Sequence, residues 1–339
     1  MPLADDSGLF QQVVNEAADR FDLAPQLIVS DYWLVRTLYA WATAVGVRTL
    51  RRAYPDPARS ASAQSVGRVA FGGGTSLSAA WGITQRWSQD IDLILGPSDQ
   101  TKPRVLHQAC KSAFGVVSRN LGGTYKVTNQ GPSHCFASIL SERRGEVSSI
   151  DVGFEPLDVE PLWTQSMPIM SLIGRISSPE MLDAHPELGG FSFDVIGPGT
   201  TAMNKLLAQT RVSESGDLDQ IVGRARDVYD LACIANQAAQ FEGHIGRDSR
   251  ALLNIAETWK DERDPERPPG GFASLRSFDP NSREYEALAE GYEIVMRDMV
   301  WGEAIPLDEA IQLAVSLDPG SAQPLSAREA NPRIAYPKH

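Results

Sequence analysis

Residues 71–93 hold the side chains best suited to chemistry. Phe71-Gly-Gly-Gly-Thr-Ser-Leu-Ser78 is followed, one short segment later, by Ser88-Gln-Asp-Ile-Asp-Leu93. A glycine turn between a strand and a helix lets backbone approach a ligand closely, because glycine accepts φ angles that other residues resist. The helix that follows aims free N–H groups and a positive dipole end at the turn, so Gly73, Gly74, Thr75 and Ser76 form a candidate phosphate seat, with the two hydroxyls as extra donors. On a strand, Asp90 and Asp92 project from the same face, roughly 6.5–7 Å apart, while Ile91 faces the other way. Two hard oxygen ligands at that spacing suit Mg²⁺ (or Mn²⁺), which is commonly held by one or two carboxylates plus substrate phosphates. Asp151, in Ser149-Ile-Asp-Val152, sits on another predicted strand. Should that strand pair beside Asp90–Leu95, the three carboxylates would form a metal site fit for in-line nucleotidyl transfer. Singly, a glycine turn, an Asp-x-Asp and a strand aspartate each read as ordinary structure. Their occurrence together and in this order is what carries the argument.

Several elements must position these groups. Phe10, Val13, Val14 and Ala17 follow helical spacing with Ser7 as the expected N-cap, and a second helix is predicted through Leu27, Trp33, Leu34, Leu38 and Trp41. Pro55–Ala58 breaks the chain before a Ser/Ala/Gln linker. The pattern then predicts a strand over 68–71, a helix from Thr75 to about Gln85, a strand over 90–95 and a helix over 103–120. Antiparallel strands are expected at 124–128, 135–140 and 147–154, separated by turns. The middle section is therefore a mixed sheet with helices, of α+β class. Helices follow at 200–209, 219–236, 282–299 and 307–315, with Asp264–Gly271 interrupting them and a Pro/Ser/Ala-rich tail after Asp318.

Composition narrows the function classes. The chain has 339 residues, room for one large domain or two to three smaller ones. Its net charge of −12 argues against coating nucleic acid through bulk electrostatics, although Arg48, Arg51, Arg52 and Arg59, and Arg143 with Arg144, could make local basic patches or solvated surface. Cys110, Cys135 and Cys233 form no CxxC pair and read as small buried hydrophobes; His134 beside Cys135 reads as a strand-borne neighbour pair. No run reaches the roughly 18–20 apolar residues of a membrane span, and the acidic start is unlike a secretory signal, so cytoplasmic residence is expected.

Phe71–Leu93 resembles the first motif of the DNA-polymerase-β-like nucleotidyltransferase superfamily, and specifically the AbiEii/AbiGii (MenT-like) toxin family. The matching residues are Gly73, Gly74, Thr75, Ser76, Leu77 and Ser78, then Arg86, Ser88, Asp90, Ile91, Asp92 and Leu93. Gly199–Ala208 resembles the family's lysine-bearing helix, with the lysine at Lys205, and Arg224–Leu231 resembles its Arg-Asp-x-Tyr-Asp-Leu motif, placing a catalytic aspartate at Asp227 with Asp230 one turn on. Ser30-Asp-Tyr-Trp33 is similar to an N-terminal segment of these proteins, with serine where the family has lysine. By their types alone, Lys205 could neutralise a triphosphate or lie exposed, and Asp227 and Asp230 could orient it or pair with Arg224 or Arg226.

Taken with the pattern along the chain, the expected organisation is an N-terminal helical segment (1–60), a nucleotidyltransferase core (61–198), a helical C-terminal domain (199–320) and an extended tail (321–339), the resemblance itself covering about residues 20–235. The resemblance implies transfer of NMP from NTP to an RNA acceptor, with the tRNA 3′ end leading, in a toxin–antitoxin or abortive-infection pair with a cognate antitoxin. Asp90, Asp92, Lys205 and Asp227 would be catalytic, with Asp151 a further metal ligand. Ser76 and Ser78 would be candidate sites of regulatory phosphorylation. Kinase-like phosphoryl transfer to a protein serine, and a catalytically idle nucleotide- or partner-binding relative, are the alternatives.

Overall fold

The computed structural model describes residues 2–43, 69–88, 90–95, 103–131, 134–143, 146–156, 164–240 and 275–317. The Arg48–Arg59 cluster, Pro55–Ala58, Arg144, the 264–271 interruption and the tail lie outside these. The chain divides into two compact units, Met1–Gly197 and Pro198–His339.

In the first unit, α1 (Ser7–Phe21) and α2 (Pro25–Thr43) come first. The α1 cap is Asp6 rather than Ser7: its carboxylate accepts from the N–H groups of Gly8 and Leu9 at 3.2 and 3.1 Å. The helix thus starts one residue earlier than its hydroxyl suggests, because an aspartate fills the N-cap equally well. α2 opens on Pro25, whose fixed φ and missing N–H suit a first helical position. It is buried on most sides, through Ile28, Tyr32, Trp33, Leu34, Val35, Leu38 and Trp41.

Then follow β1 (Val69–Gly72), α3 (Gly73–Ala79), β2 (Asp90–Leu95) and α4 (Pro103–Asn120). The strands β3 (Thr124–Gly131), β4 (His134–Arg143) and β5 (Glu146–Pro156) form a meander. β6 (Thr164–Met170), the short helices α5 (Leu172–Ile176) and α6 (Pro179–Ala184), and β7 (Gly189–Ile196) complete the unit. α3 starts earlier and is much shorter than the helix expected over 75–85. Its last carbonyls are closed by the N–H groups of Ala80 and Trp81, both bonding to Ser76 O, and Gly82 at φ 65° turns the chain away.

Among the described residues the strands form one seven-stranded mixed sheet in the order β3-β4-β5-β2-β1-β7-β6. β2 pairs parallel with β5, and β1 parallel with β7; the remaining pairs are antiparallel. Strand alternation sorts the side chains by face. Ile91, Leu93, Ala137, Ile139 and Val152 are buried on one face, where α2 and α4 pack against the sheet. α4 presents Cys110, Ala113, Phe114 and Val117 at helical spacing, with the Phe114 ring 5.8 Å from Tyr125 and 6.1 Å from Trp41. The residues between them on β2, β4 and β5, among them Asp90, Asp92, Ser138 and Asp151, fall on the opposite face. Cys110, Cys135 and Cys233 are buried, and none is in a disulfide among the described residues.

The second unit is helical. It contains α7 (Pro198–Ser215), α8 (Leu218–Asn236), α9 (Arg283–Asp298) and α10 (Leu307–Ser316). α8 is its central element, burying Ile221, Ala225, Val228, Leu231 and Ile234, and it packs against α7, α9 and α10. Asp217 and Ser282 cap α8 and α9 through the N–H groups of Gln220 and Tyr285. Gly291 lets α9 lie directly on α8: a Cβ there would come within 2.5 Å of Val222 O. No helix among the described residues is long and apolar enough to cross a membrane.

Candidate active site

In the first unit the carboxylates meet through strand register. Asp90 is the direct parallel partner of Asp151, so the two project from the same face of adjacent strands, and Asp92 follows two residues along β2. Ser138 of β4 pairs with Asp151 on its other side, and its hydroxyl donates to Asp151 Oδ1. Asp92 has a glycine at its register position on each neighbouring strand, Gly72 on β1 and Gly153 on β5. A third glycine, Gly73, lies against its carboxylate: the backbone has φ +69°, and a Cβ would collide with Asp92 Oδ2. This backbone is left-handed and the space is closed, so position 73 excludes every side chain. Asp92 therefore stands in a gap walled by backbone. Gly153 was not anticipated, although a glycine inside an apolar strand marks close approach by something else.

The loop hydroxyls are not presented as donors in the way their sequence suggests. Thr75 Oγ1 donates to Asp90 O at 2.5 Å, tying the first turn of α3 to the start of β2. Ser76 Oγ donates to Gly73 O at 2.8 Å and Ser78 Oγ to Thr75 O at 3.1 Å. All three are buried, so a phosphate group would be offered main-chain N–H groups of the glycine turn, whose N-cap Gly72 makes no side-chain cap bond. Burial also removes Ser76 and Ser78 as accessible sites for regulatory phosphorylation in this conformation. Arg86 is 1 % exposed and donates from Nη1 to Trp87 O at 2.9 Å, so it belongs to the packing around the turn.

A polar layer joins α2 to α5 and to the segment before β7. Asp31 of α2 accepts from Leu172 N–H at 2.6 Å, and burial pushes its carboxyl up to about 6 against the opposing pull of that bond and of the Arg175 charge. Glu187 Oε1 accepts from Leu3 N–H at 2.6 Å and from the Tyr32 hydroxyl at 3.4 Å. The Arg36 guanidinium stacks 4.8 Å over the Trp33 ring.

In the second unit Lys205 of α7 meets both aspartates of α8. Its Nζ lies 2.5 Å from Asp227 Oδ1 and 2.8 Å from Asp230 Oδ2. Arg224 adds Nη1 at 3.3 Å from Asp227 Oδ2 from the helix surface. Burial, the largest influence on Asp227, pushes its carboxyl upward. The charges of Lys205 and Arg224, the Lys205 hydrogen bond and the charge of Arg226 together outweigh it and hold the group below the ordinary carboxylate range. Lys205 is 11 % exposed while both aspartates are essentially inaccessible, so of these three groups the ammonium is the outermost, with Arg224 further out on the helix surface.

Among the described residues no three His, Cys, Asp or Glu side chains converge tightly enough to cage a metal. The donor chemistry still fits a divalent ion shared with a substrate: hard carboxylates on one face, with backbone-walled space beside Asp92.

A family model described as nucleotidyl transferase AbiEii toxin, type IV toxin–antitoxin system, matches residues 59–312. Among solved structures, MenT4, a nucleotidyltransferase toxin from Mycobacterium tuberculosis H37Rv, is 18% identical; the match covers 90% of this chain and 92% of that one, with a TM-score of 0.48. JHP933 from Helicobacter pylori is 14% identical over 82% of this chain and 93% of that one, with a TM-score of 0.28. No curated protein matches.

Proposed function

The chain belongs to the AbiEii nucleotidyltransferase toxin family, and from that membership we propose that it transfers NMP from an NTP to an RNA acceptor, the tRNA 3′ end first among candidates. The observation that carries this reading is the in-register pairing of Asp90 with Asp151, with Asp92 beside them against Gly73. An acceptor hydroxyl oxygen attacks the α-phosphorus, the bond to the β-phosphate oxygen breaks, pyrophosphate leaves, and the hydroxyl proton passes to a base or solvent. Gly73–Ser76 seat phosphate oxygens through main-chain N–H groups. Asp90 and Asp92 would hold Mg²⁺ or Mn²⁺ together with oxygens of the substrate phosphates, with Asp151 as a further carboxylate on the adjacent strand; the ion when bound would offset the charge of the triphosphate and of the transition state. Lys205, held by Asp227 and Asp230, is assigned to the triphosphate as a fixed positive charge. Asp227 acts by orienting that charge. The enzyme would work in the cytoplasm, restrained by a cognate antitoxin.

The test is total tRNA with Mg²⁺ and each α-labelled NTP in turn, wild type beside Asp92→Asn. Wild type should label tRNA with one preferred nucleotide. The variant should keep its thermal midpoint and lose more activity than the roughly 10–100-fold that even an outer-shell partner of a metal ligand is worth. Undiminished transfer by a folded Asp92→Asn protein would sink the assignment of that residue. Label reaching a protein from γ-labelled nucleotide, with none in RNA, would replace the reaction by serine phosphorylation.

A further inference from the structure

Ser30–Trp33 has no part in the chemistry above, yet one of its side chains leads to the glycine turn. Asp31 Oδ2 accepts from the N–H of Leu172, the first residue of α5. Ser171 caps the same helix: its Oγ accepts from Gly174 N–H at 2.9 Å and donates to Leu188 O at 2.9 Å. Gly174 seats α5 so closely that an added Cβ would strike Leu188 O. The first turn of α5 is thus clamped by α2 on one side and by the segment before β7 on the other. From its last turn Arg175 extends Nη2 to Ser78 O at 2.7 Å. Ser78 lies in the last turn of α3, where a cation bonding to the final carbonyls complements the helix dipole.

α3 has seven residues and is anchored at both ends. Thr75 Oγ1 fixes its first turn to Asp90 O, and Arg175 fixes its last. A change in tilt would alter where the N–H groups of Gly73 and Gly74 point and how Gly73 bears on the Asp92 carboxylate. We propose that Arg175 is a positioning residue for nucleotide binding, and that Asp31, by clamping α5, holds Arg175 in place against the α3 carboxyl end. Both act through the glycine turn and touch no substrate. The inference rests on Gly73–Ser76 being the nucleotide seat. A displacement of about 1 Å remote from the chemistry can cost on the order of 100-fold in rate, so a loss of about tenfold in nucleotide affinity is expected from releasing one anchor.

The experiment is calorimetric titration of the full chain with each of the four NTPs in Mg²⁺. Arg175→Met removes the donor and keeps the stem; Arg175→Gln keeps a shorter neutral donor; Arg175→Lys keeps the charge. Tyr32→Phe, which loosens the Glu187 side of the same polar layer, controls for general destabilisation. Gly73→Ala strikes the turn itself. The proposal expects about tenfold weaker binding for Arg175→Met, at least threefold for Arg175→Gln, substantial recovery with Arg175→Lys, and wild-type affinity for Tyr32→Phe. If Arg175→Met does not fold, unchanged affinity in Arg175→Gln overturns the proposal. Equal loss in Tyr32→Phe also overturns it, reducing Arg175 to a stabilising contact. Wild-type affinity in Gly73→Ala would instead refute the nucleotide seat, whereas loss there with none in the folded Arg175 variants refutes the positioning role alone.

Discussion

The Lys205 cluster sets two buried carboxylates against one ammonium, with a half-exposed arginine alongside. Removing one partner of a buried ion pair costs about 3–5 kcal/mol, because the charge left behind has no compensation. Lys205→Met should therefore destabilise the protein strongly at neutral pH as well as abolish transfer. The pH dependence should also reverse. In the wild type the depressed Asp227 carboxyl contributes stability above its unfolded value of 3.8, lost as pH falls through the folded value. Without Lys205, the largest influence that remains on Asp227 is burial, which raises its carboxyl. Unfolding midpoints of Lys205→Met should then fall as pH rises from about 4 to 7, and Lys205→Met/Asp227→Asn should recover part of the loss. A variant whose pH profile parallels the wild type would refute this electrostatic account. Sequence marked Lys205 and Asp227 only through resemblance; by residue type they could have been two unrelated surface groups. The i, i+3 spacing of Asp227 and Asp230 put both on one face, but only the packing of α7 on α8 could supply the partner.

At the scale of elements, glycines decide where backbones touch. Gly291 brings α9 against the Val222 carbonyl, a main-chain neighbour that cannot rotate aside. Gly291→Ala should cost about 1–3 kcal/mol, the usual range for overpacking, visible as a lower thermal midpoint. An unchanged midpoint would mean that α9 is free to move outward. The same kind of contact explains what was legible in the core. β2, α4 and the β3–β5 meander follow from alternation and helical spacing, and the α+β class with them. β6 and β7 went unpredicted. β7 alternates buried and exposed positions cleanly, but β6 carries Pro168 and few β-branched residues, and it is seen as a strand only once β7 pairs with it. The length of α3 was misjudged because a helical pattern does not reveal where tertiary bonds close the last carbonyls. Most of the candidate site was legible because its signals are local: a glycine run and an alternating pair of acids. The contacts of Arg175 and Gly153 were not, since each depends on a neighbour distant in sequence.

For the whole molecule, the charge of −12 sets a limit on how the proposed RNA acceptor would be engaged. A protein making 6–10 phosphate contacts loses about 10³–10⁵ in affinity between 50 and 200 mM salt. Here the acceptor would be held by a few local contacts, so kcat/KM for tRNA should fall by less than about tenfold over that range; a steeper fall would point to an extended basic track. The order of strands in the sheet bears on when during synthesis the sheet can close. β1, which carries the glycine turn, is made early, but its parallel partner β7 ends about 120 residues later. β2 waits for β5 in the same way. At about 5–20 residues per second, the ribosome needs roughly 6–24 s to lengthen the chain from one to the other. A nascent or truncated chain ending before residue 189 would have β2 and its carboxylates but no β7 to pair with β1, so the strand leading into the glycine turn would stay an open edge until late in synthesis.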